Sequence, residues 1–272
     1  SVLGDIVGGR LQAVCVPDEG LTQYTTPRAE FCNNTRTLHP GDTVPRTELT
    51  ALLYNAGYAR RAQVDGPGQF SIRGDIVDLY APDMKLPVRM EFWGDEIDTM
   101  HTFDLATQRR EDPIEKIYVS PAREVLFGSP AEAAELLRAF IKKFRGKKRT
   151  ALEACLATEL AQLDGGALPV NMDKYLAVRY PQPATLLDYF DDPLLVLEEP
   201  ASLREAERAT TYRRGEEISA LLQDGVLAAG LDNLYAENGY LWAQAANHRT
   251  ICAENFARSM PDIPLKDIVN AP

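Results

Sequence analysis

Residues 57–109 read GYARRAQVDGPGQFSIRGDIVDLYAPDMKLPVRMEFWGDEIDTMHTFDLATQR. This stretch decides the fold, because β-branched and aromatic residues alternate with polar ones between clusters of Gly, Pro and Asp. Strands are expected over 58–64, 69–80, 88–93, 97–103 and, a little further on, 114–119. Asp65-Gly66-Pro67-Gly68 forms a turn and residues 82–87 a loop. Consecutive strands joined by short turns imply an antiparallel sheet. A helix over 45–55 precedes it, with Pro45 at a first-turn position and Gly57 beyond its end.

The alternation also sorts the side chains onto two faces. Phe70, Ile72, Gly74 and Ile76 fall on one face, Ser71, Arg73 and Asp75 on the other. Gly74 is read as a twist or bulge within one long strand, since Val77 and Leu79 would otherwise land on the polar side. In the next strand Val88, Met90 and Phe92 point inward and Arg89, Glu91 and Trp93 outward. If the two strands pair, one exposed face collects Arg73, Arg89, Glu91 and Trp93. Arg and Trp are the residue types most enriched at protein interface hot spots. The plain alternative is a solvated face with an Arg89–Glu91 or Arg73–Glu91 ion pair, worth ~0.5 kcal/mol. An outward tryptophan argues against it, because an exposed indole on a sheet calls for a cover.

Outside this zone the pattern changes to α/β. Residues 1–9 look like the end of a helix, and residues 11–16 (LQAVCV) like a buried parallel strand whose neighbours lie upstream of the given sequence. A short helix over 18–24 and an extended return over 35–38 follow. Beyond Pro121, helices are expected over 131–144 and 150–163, an apolar strand over 194–197 and a charged helix over 202–222. A buried strand flanked by helices is the mark of an α/β layer. The economical architecture is an α/β domain, truncated at its N-terminus and made of residues 1–41 and 123–272, interrupted by an antiparallel β-rich insert over 42–122.

A length of 272 residues accommodates this, and 45% hydrophobic content permits a sizeable core. The formal net charge of −11 argues against binding nucleic acid through its backbone. One basic run, Lys142, Lys143, Arg145, Lys147, Lys148 and Arg149, sits where a helix beginning near Ser129 should end, and cations suit that end of a helix dipole. Cys15, Cys32, Cys155 and Cys252 show no CxxC spacing, and His39, His101 and His248 are dispersed, so no metal and no cofactor are expected. No run approaches the ~18 apolar residues of a membrane span, and a cytoplasmic location without membrane contact is expected. No GxxxxGK[ST] is present to cradle phosphates, and no GxSxG to carry a nucleophile. Glu198-Glu199 follows an apolar strand, as a Walker B pair would, and without its P-loop reads as a relic. The chain itself is expected not to be an enzyme. Arg73-Gly74-Asp75 spells an adhesion tripeptide, discounted because it is placed mid-strand.

At FSIRGDIVDLY, PVRMEFWGDEID and FDLATQR the sequence closely resembles the UvrB-homology module of the bacterial transcription-repair coupling factors (Mfd). The likeness continues through Pro121-Ala122-Arg123-Glu124 and through ATLLDYF with LLVLEEP, and covers nearly the whole chain. UvrB shares much of this module, but Thr107-Gln108-Arg109 and Ser71 favour the coupling factors. The resemblance implies a degenerate helicase-like α/β domain carrying an inserted UvrA-binding domain. It implies UvrA-binding roles for Arg73, Arg89, Glu91 and Trp93, where the family usually has phenylalanine at the last. Arg60 matches a further arginine, with Arg61 beside it leaving the register open. RNA polymerase and DNA would be reached only through parts of the full-length protein outside this chain, where an ATP-dependent motor is expected. The competing reading is a nucleic-acid-handling piece of a UvrB-like excision-repair helicase, in which the same arginines and the 142–149 run hold phosphates.

Overall fold

A computed structural model describes residues 2–169 and 171–254. The chain opens with three short helices, α1 (Val2–Val7), α2 (Asp18–Thr22) and α3 (Arg28–Asn33), followed by strand β1 (Arg36–Leu38). Residues 11–16 do not form the expected buried strand. They enter no ladder among the described residues; Leu11, Ala13 and Cys15 are exposed, and only Val14 and Val16 pack partly against the Leu186–Leu195 cluster. An apolar run becomes a strand only where its backbone groups pair with a sheet edge, and these residues pair with none among the described strands.

The β-rich segment is built on α4 (Arg46–Asn55), for which Pro45 serves as N-cap. Leu49 and Leu53, one turn apart, present the same face and are fully buried. Strands β2 (Ala59–Arg60), β3 (Gln69–Arg73), β4 (Ile76–Tyr80), β5 (Val88–Trp93), β6 (Glu96–Phe103) and β7 (Arg110–Pro113) form a six-stranded sheet in that spatial order. Every neighbouring pair is antiparallel except β2–β3, which is parallel, so the sheet is mixed where an antiparallel one was expected. The last expected strand also leaves the sheet: β8 (Ile117–Val119) pairs antiparallel with β1, setting Leu38 opposite Ile117. Phe70, Val77, Leu79, Val88, Met90 and Met100 pack from one sheet face onto Leu49 and Leu53 of α4 and onto Leu38 and Val119 of the small ribbon. At roughly 1.5–3 kcal/mol for each large apolar side chain, this cluster holds the β-rich segment together. It leaves the opposite face of the sheet to polar side chains.

Residues 69–80 are two strands rather than the single strand expected. Gly74-Asp75 turns the chain with Arg73 opposite Ile76, and Gly74 has φ +59°, a conformation that only glycine adopts without a Cβ penalty. The two-residue turn resets the alternation. Val77 and Leu79 return to the core face, opposite Ile72 and Phe70, whereas Ile76 stands beside Arg73 instead of in the core. The tripeptide Arg73-Gly74-Asp75 thus lies at a hairpin tip, not in mid-strand. Gly94-Asp95 makes the same kind of turn between β5 and β6, with Trp93 opposite Glu96 and Gly94 at φ +64°. Arg46 at the start of α4 fastens the first tip, donating to the Gly74 carbonyl at 2.8 Å and to Asp75 Oδ1 at 2.5 Å.

The third segment contains α5 (Pro130–Lys142), α6 (Gly146–Cys155), α7 (Ala157–Asp164), α8 (Leu176–Arg179), β9 (Leu194–Glu198), α9 (Pro200–Gln223), α10 (Tyr240–Asn247) and β10 (Arg249–Ala253). Ser129 caps α5, its Oγ accepting from the Glu132 amide at 3.1 Å. β10, which the sequence reading did not anticipate, runs parallel to β9, so α9 and α10 form the crossover of an α/β unit. The helix expected over 150–163 is two helices that meet at Leu156. The basic run is divided as well: α5 stops at Lys142, and Gly146 at φ +58° opens α6 with Lys147, Lys148 and Arg149 in its first turn. Those three stand at the end of a helix opposite to the one assumed. No helix among the described residues is long and apolar enough to cross a membrane.

Candidate partner-binding face

Side chains on the open face of the sheet lie in two rows that follow from register. Ser71, Asp78, Arg89 and His101 are successive cross-strand partners on β3, β4, β5 and β6. Arg73, Ile76, Glu91 and Thr99 form the second row, nearer the hairpin tips. The structure therefore brings Arg73, Arg89 and Glu91 together as the alternation implied. Trp93 stands at the end of β5, 84% exposed. Arg60 lies exposed on the edge strand β2, in register with Phe70, and no hydrogen bond or ion pair among the described residues ties it to the other four.

The centre of this face is a residue that sequence reasoning missed. Asp78 is fully buried, and its carboxylate is shared by two arginines. Arg89 donates from Nε to Oδ1 at 2.6 Å and from Nη2 to Oδ2 at 2.9 Å, a bidentate pairing, and Arg73 donates from Nη2 to Oδ2 at 2.6 Å. Hydrogen bonding to Asp78 raises the pKa of Arg89 against the opposing effect of burial. The signal was present in the spacing: once Gly74-Asp75 is read as a turn, Asp78 falls opposite Ser71, on the arginine side.

Arg89 is held from its outer side too. Its Nη2 lies 3.2 Å from Gln108 Oε1, its Nη1 3.4 Å from the Gln108 carbonyl, and its guanidinium 4.6 Å from the centroid of the Phe103 ring. Only 12% of its side chain remains exposed, against 45% for Arg73. Gln108 sits at φ +58°, a left-handed conformation that costs a non-glycine residue roughly 1–2 kcal/mol. Asp104 stabilises the loop around it, its Oδ1 accepting from the Thr107 amide at 2.7 Å and from Thr107 Oγ1 at 2.8 Å. Those bonds, the amide first, hold the Asp104 carboxyl below its ordinary pKa.

Glu91 pairs with neither arginine of the expected face. Its partner is Arg110 on β7, and Thr99 Oγ1 donates to it at 3.2 Å. The Arg73–Glu91 and Arg89–Glu91 ion pairs of the plain alternative do not form, because the buried Asp78 lies between the arginines and takes both. The result is a preorganised surface: an arginine with Nε and Nη1 uncommitted among the described residues, a half-buried Ile76 beside it, and an exposed indole at the same end of the sheet. Such a surface can grip a carboxylate and cover an apolar anchor.

Residues 37–125 match the family described as UvrB interaction domain. Over 232 residues the chain is 29% identical to the transcription-repair-coupling factor of Bacillus subtilis (strain 168), covering 82% of this chain and 20% of that protein. It is 31% identical over 221 residues to that of Staphylococcus haemolyticus (strain JCSC1435), covering 77% and 18% respectively. For Staphylococcus aureus (strain MRSA252) the identity is 28% over 228 residues, covering 80% and 19%. The chain spans about a fifth of the length of the curated relatives it matches.

Proposed function

From a chain that carries a UvrB interaction domain over residues 37–125 and is related to the transcription-repair-coupling factors, we propose that it recruits UvrA, as a non-catalytic interaction module of transcription-coupled nucleotide excision repair. The observation that carries the reading is the open sheet face, where Arg73 and Trp93 are exposed around an arginine–aspartate pair that is already assembled. In this reading Arg73 and Trp93 touch the partner. Arg89 and Asp78 fix the guanidinium of Arg73 in place, and Glu91 sets Arg110 at the rim. Arg60 stays outside the connected network: on the edge strand β2 it is in register with Phe70, a residue of the core-facing row. Preorganisation of this kind raises affinity by removing the entropy of ordering side chains on binding.

The surrounding segments, residues 1–41 and 123–272, serve as the remains of a helicase-like α/β domain. Glu198 and Glu199, at the C-terminal end of the parallel strand β9, occupy the place of a carboxylate pair without a phosphate loop to complete it. Motor activity and engagement of RNA polymerase fall to regions outside this chain.

Surface plasmon resonance of the chain against immobilised UvrA tests the proposal. Saturable binding that Arg73→Glu removes supports it. Absence of binding by the folded wild-type chain overturns it.

A further inference from the structure

The sequence places the whole 142–149 run at the C-terminal end of a helix, and the structure removes that ground for Lys147, Lys148 and Arg149. α5 ends at Lys142, and Lys147, Lys148 and Arg149 begin α6, where the helix field disfavours positive charge. Arg149 alone of the six has an ion pair, with Glu153 at 2.8 Å. Lys142, Lys143, Arg145, Lys147 and Lys148 are all exposed, and among the described residues none has a carboxylate partner; Lys143 merely stands 5.9 Å from the centroid of the Phe140 ring. Five unpaired positive charges thus crowd one helix–helix corner of a chain whose formal net charge is −11. Mutual repulsion works against that corner; the C-terminal end of α5 offsets it for Lys142 and Lys143, but no carboxylate among the described residues pairs with Arg145, Lys147 or Lys148.

We propose that this corner binds the phosphate backbone of nucleic acid, without reading sequence. Screening makes the local charge decisive: beyond a Debye length of about 8 Å at physiological salt, the acidic remainder of the surface is largely invisible to a phosphate at the corner. The residue types favour phosphate over an acidic protein. Four of the five are lysines, which act as mobile point charges and are depleted at protein interfaces. The run offers no exposed aromatic anchor, its one aromatic residue, Phe144, packing against the cluster around Leu137 and Leu231. The site is separate from the sheet face, and its reality does not depend on the UvrA reading.

Fluorescence anisotropy with a labelled duplex of about 20 base pairs, titrated with the whole chain between about 50 and 200 mM salt, tests it. The wild-type chain is expected to bind at the lower salt independently of sequence. The slope of log K against log salt should lie at about −3 to −4.5, since each phosphate contact contributes about 0.9. Replacing all five with glutamine should weaken binding at least tenfold, whereas Arg73→Glu should leave it unchanged. Should the fivefold variant fail to fold, Lys142→Gln/Lys143→Gln and Lys147→Gln/Lys148→Gln should each flatten the slope by between about 1 and 2. No binding at low salt, a salt-independent affinity, full retention of binding by the folded variants, or equal binding of polyglutamate would each overturn the proposal.

Discussion

Arg89 and Asp78 form a closed pair inside the sheet face: Nε meets Oδ1 at 2.6 Å and Nη2 meets Oδ2 at 2.9 Å, with Asp78 wholly shielded from solvent. A carboxylate so placed is tolerable only because two guanidinium groups satisfy it. Arg73, on the opposite side of Asp78, is the exposed member of the trio.

Arg73→Glu and Arg89→Glu should therefore behave differently, although strand alternation alone places both residues on the outward face. Arg89→Glu sets a second carboxylate against a buried one, and Asp78→Ala strands a guanidinium that is 12% exposed. Each should cost ~3–5 kcal/mol of stability, the usual effect of breaking a buried pair. Arg73→Glu should cost clearly less, because its side chain can move into solvent, yet abolish UvrA binding. Thermal melts beside surface plasmon resonance separate the two effects. Equal melting temperatures for the Arg73 and Arg89 variants would contradict this account.

Trp93→Ala tests contact without disturbing the core. At 84% exposure the indole contributes little to folding, and stability should stay within ~0.5 kcal/mol of wild type. A central aromatic anchor is worth at least ~2 kcal/mol at a protein interface, or about thirtyfold in affinity. Trp93→Phe should retain most of the affinity. An unchanged affinity for the alanine variant would remove Trp93 from the interface.

The Asp104–Gln108 loop should loosen in acid. Because the folded pKa of Asp104 lies below its unfolded value, its bonds to Thr107 stabilise the loop fully above the ordinary aspartate pKa of about 3.9. That contribution is lost as pH falls through the lower, folded value. The Thr107 amide resonance, followed by NMR during acid titration, should show its inflection below about 3.9. An inflection at or above that value would show that the bonds do not hold the carboxylate.

Gly74→Ala should destabilise the β-rich segment by roughly 1–2 kcal/mol, the penalty of a left-handed conformation for a residue with Cβ. The added atom meets nothing within 4 Å, so the cost is conformational rather than steric against a neighbour. Chemical denaturation should show the shift, and a neutral effect would mean that the hairpin tip is not held in this turn.

Isothermal titration with ATP and magnesium should give no saturable heat, since the sequence contains no loop of the GxxxxGK[ST] type. Micromolar binding would reveal a nucleotide site that the sequence conceals.

The sequence by itself determined which side chains share a face wherever the strand period runs uninterrupted. Arg89, Glu91 and Trp93 alternate with Val88, Met90 and Phe92 because a period of two is a local property of extended backbone. Family motifs likewise marked the β-rich segment, and the apolar strand before Glu198 marked the α/β pattern. What only tertiary structure decided were the matters of register and of termination. Gly74 could be read as a bulge or as a turn from local pattern alone; its φ of +59° and the pairing of Arg73 with Ile76 settle the turn, and with it the arrival of Asp78 between the arginines. Glu91 finds Arg110 through a strand pairing across some twenty residues of chain, which no local period encodes. The six cations of the 142–149 run look alike in sequence, yet the helix boundary at Gly146 divides them between two opposite helix ends. Local propensity shapes an element, but long-range packing chooses where it stops and which neighbour it meets, and the chemistry of this protein's surface follows from those choices.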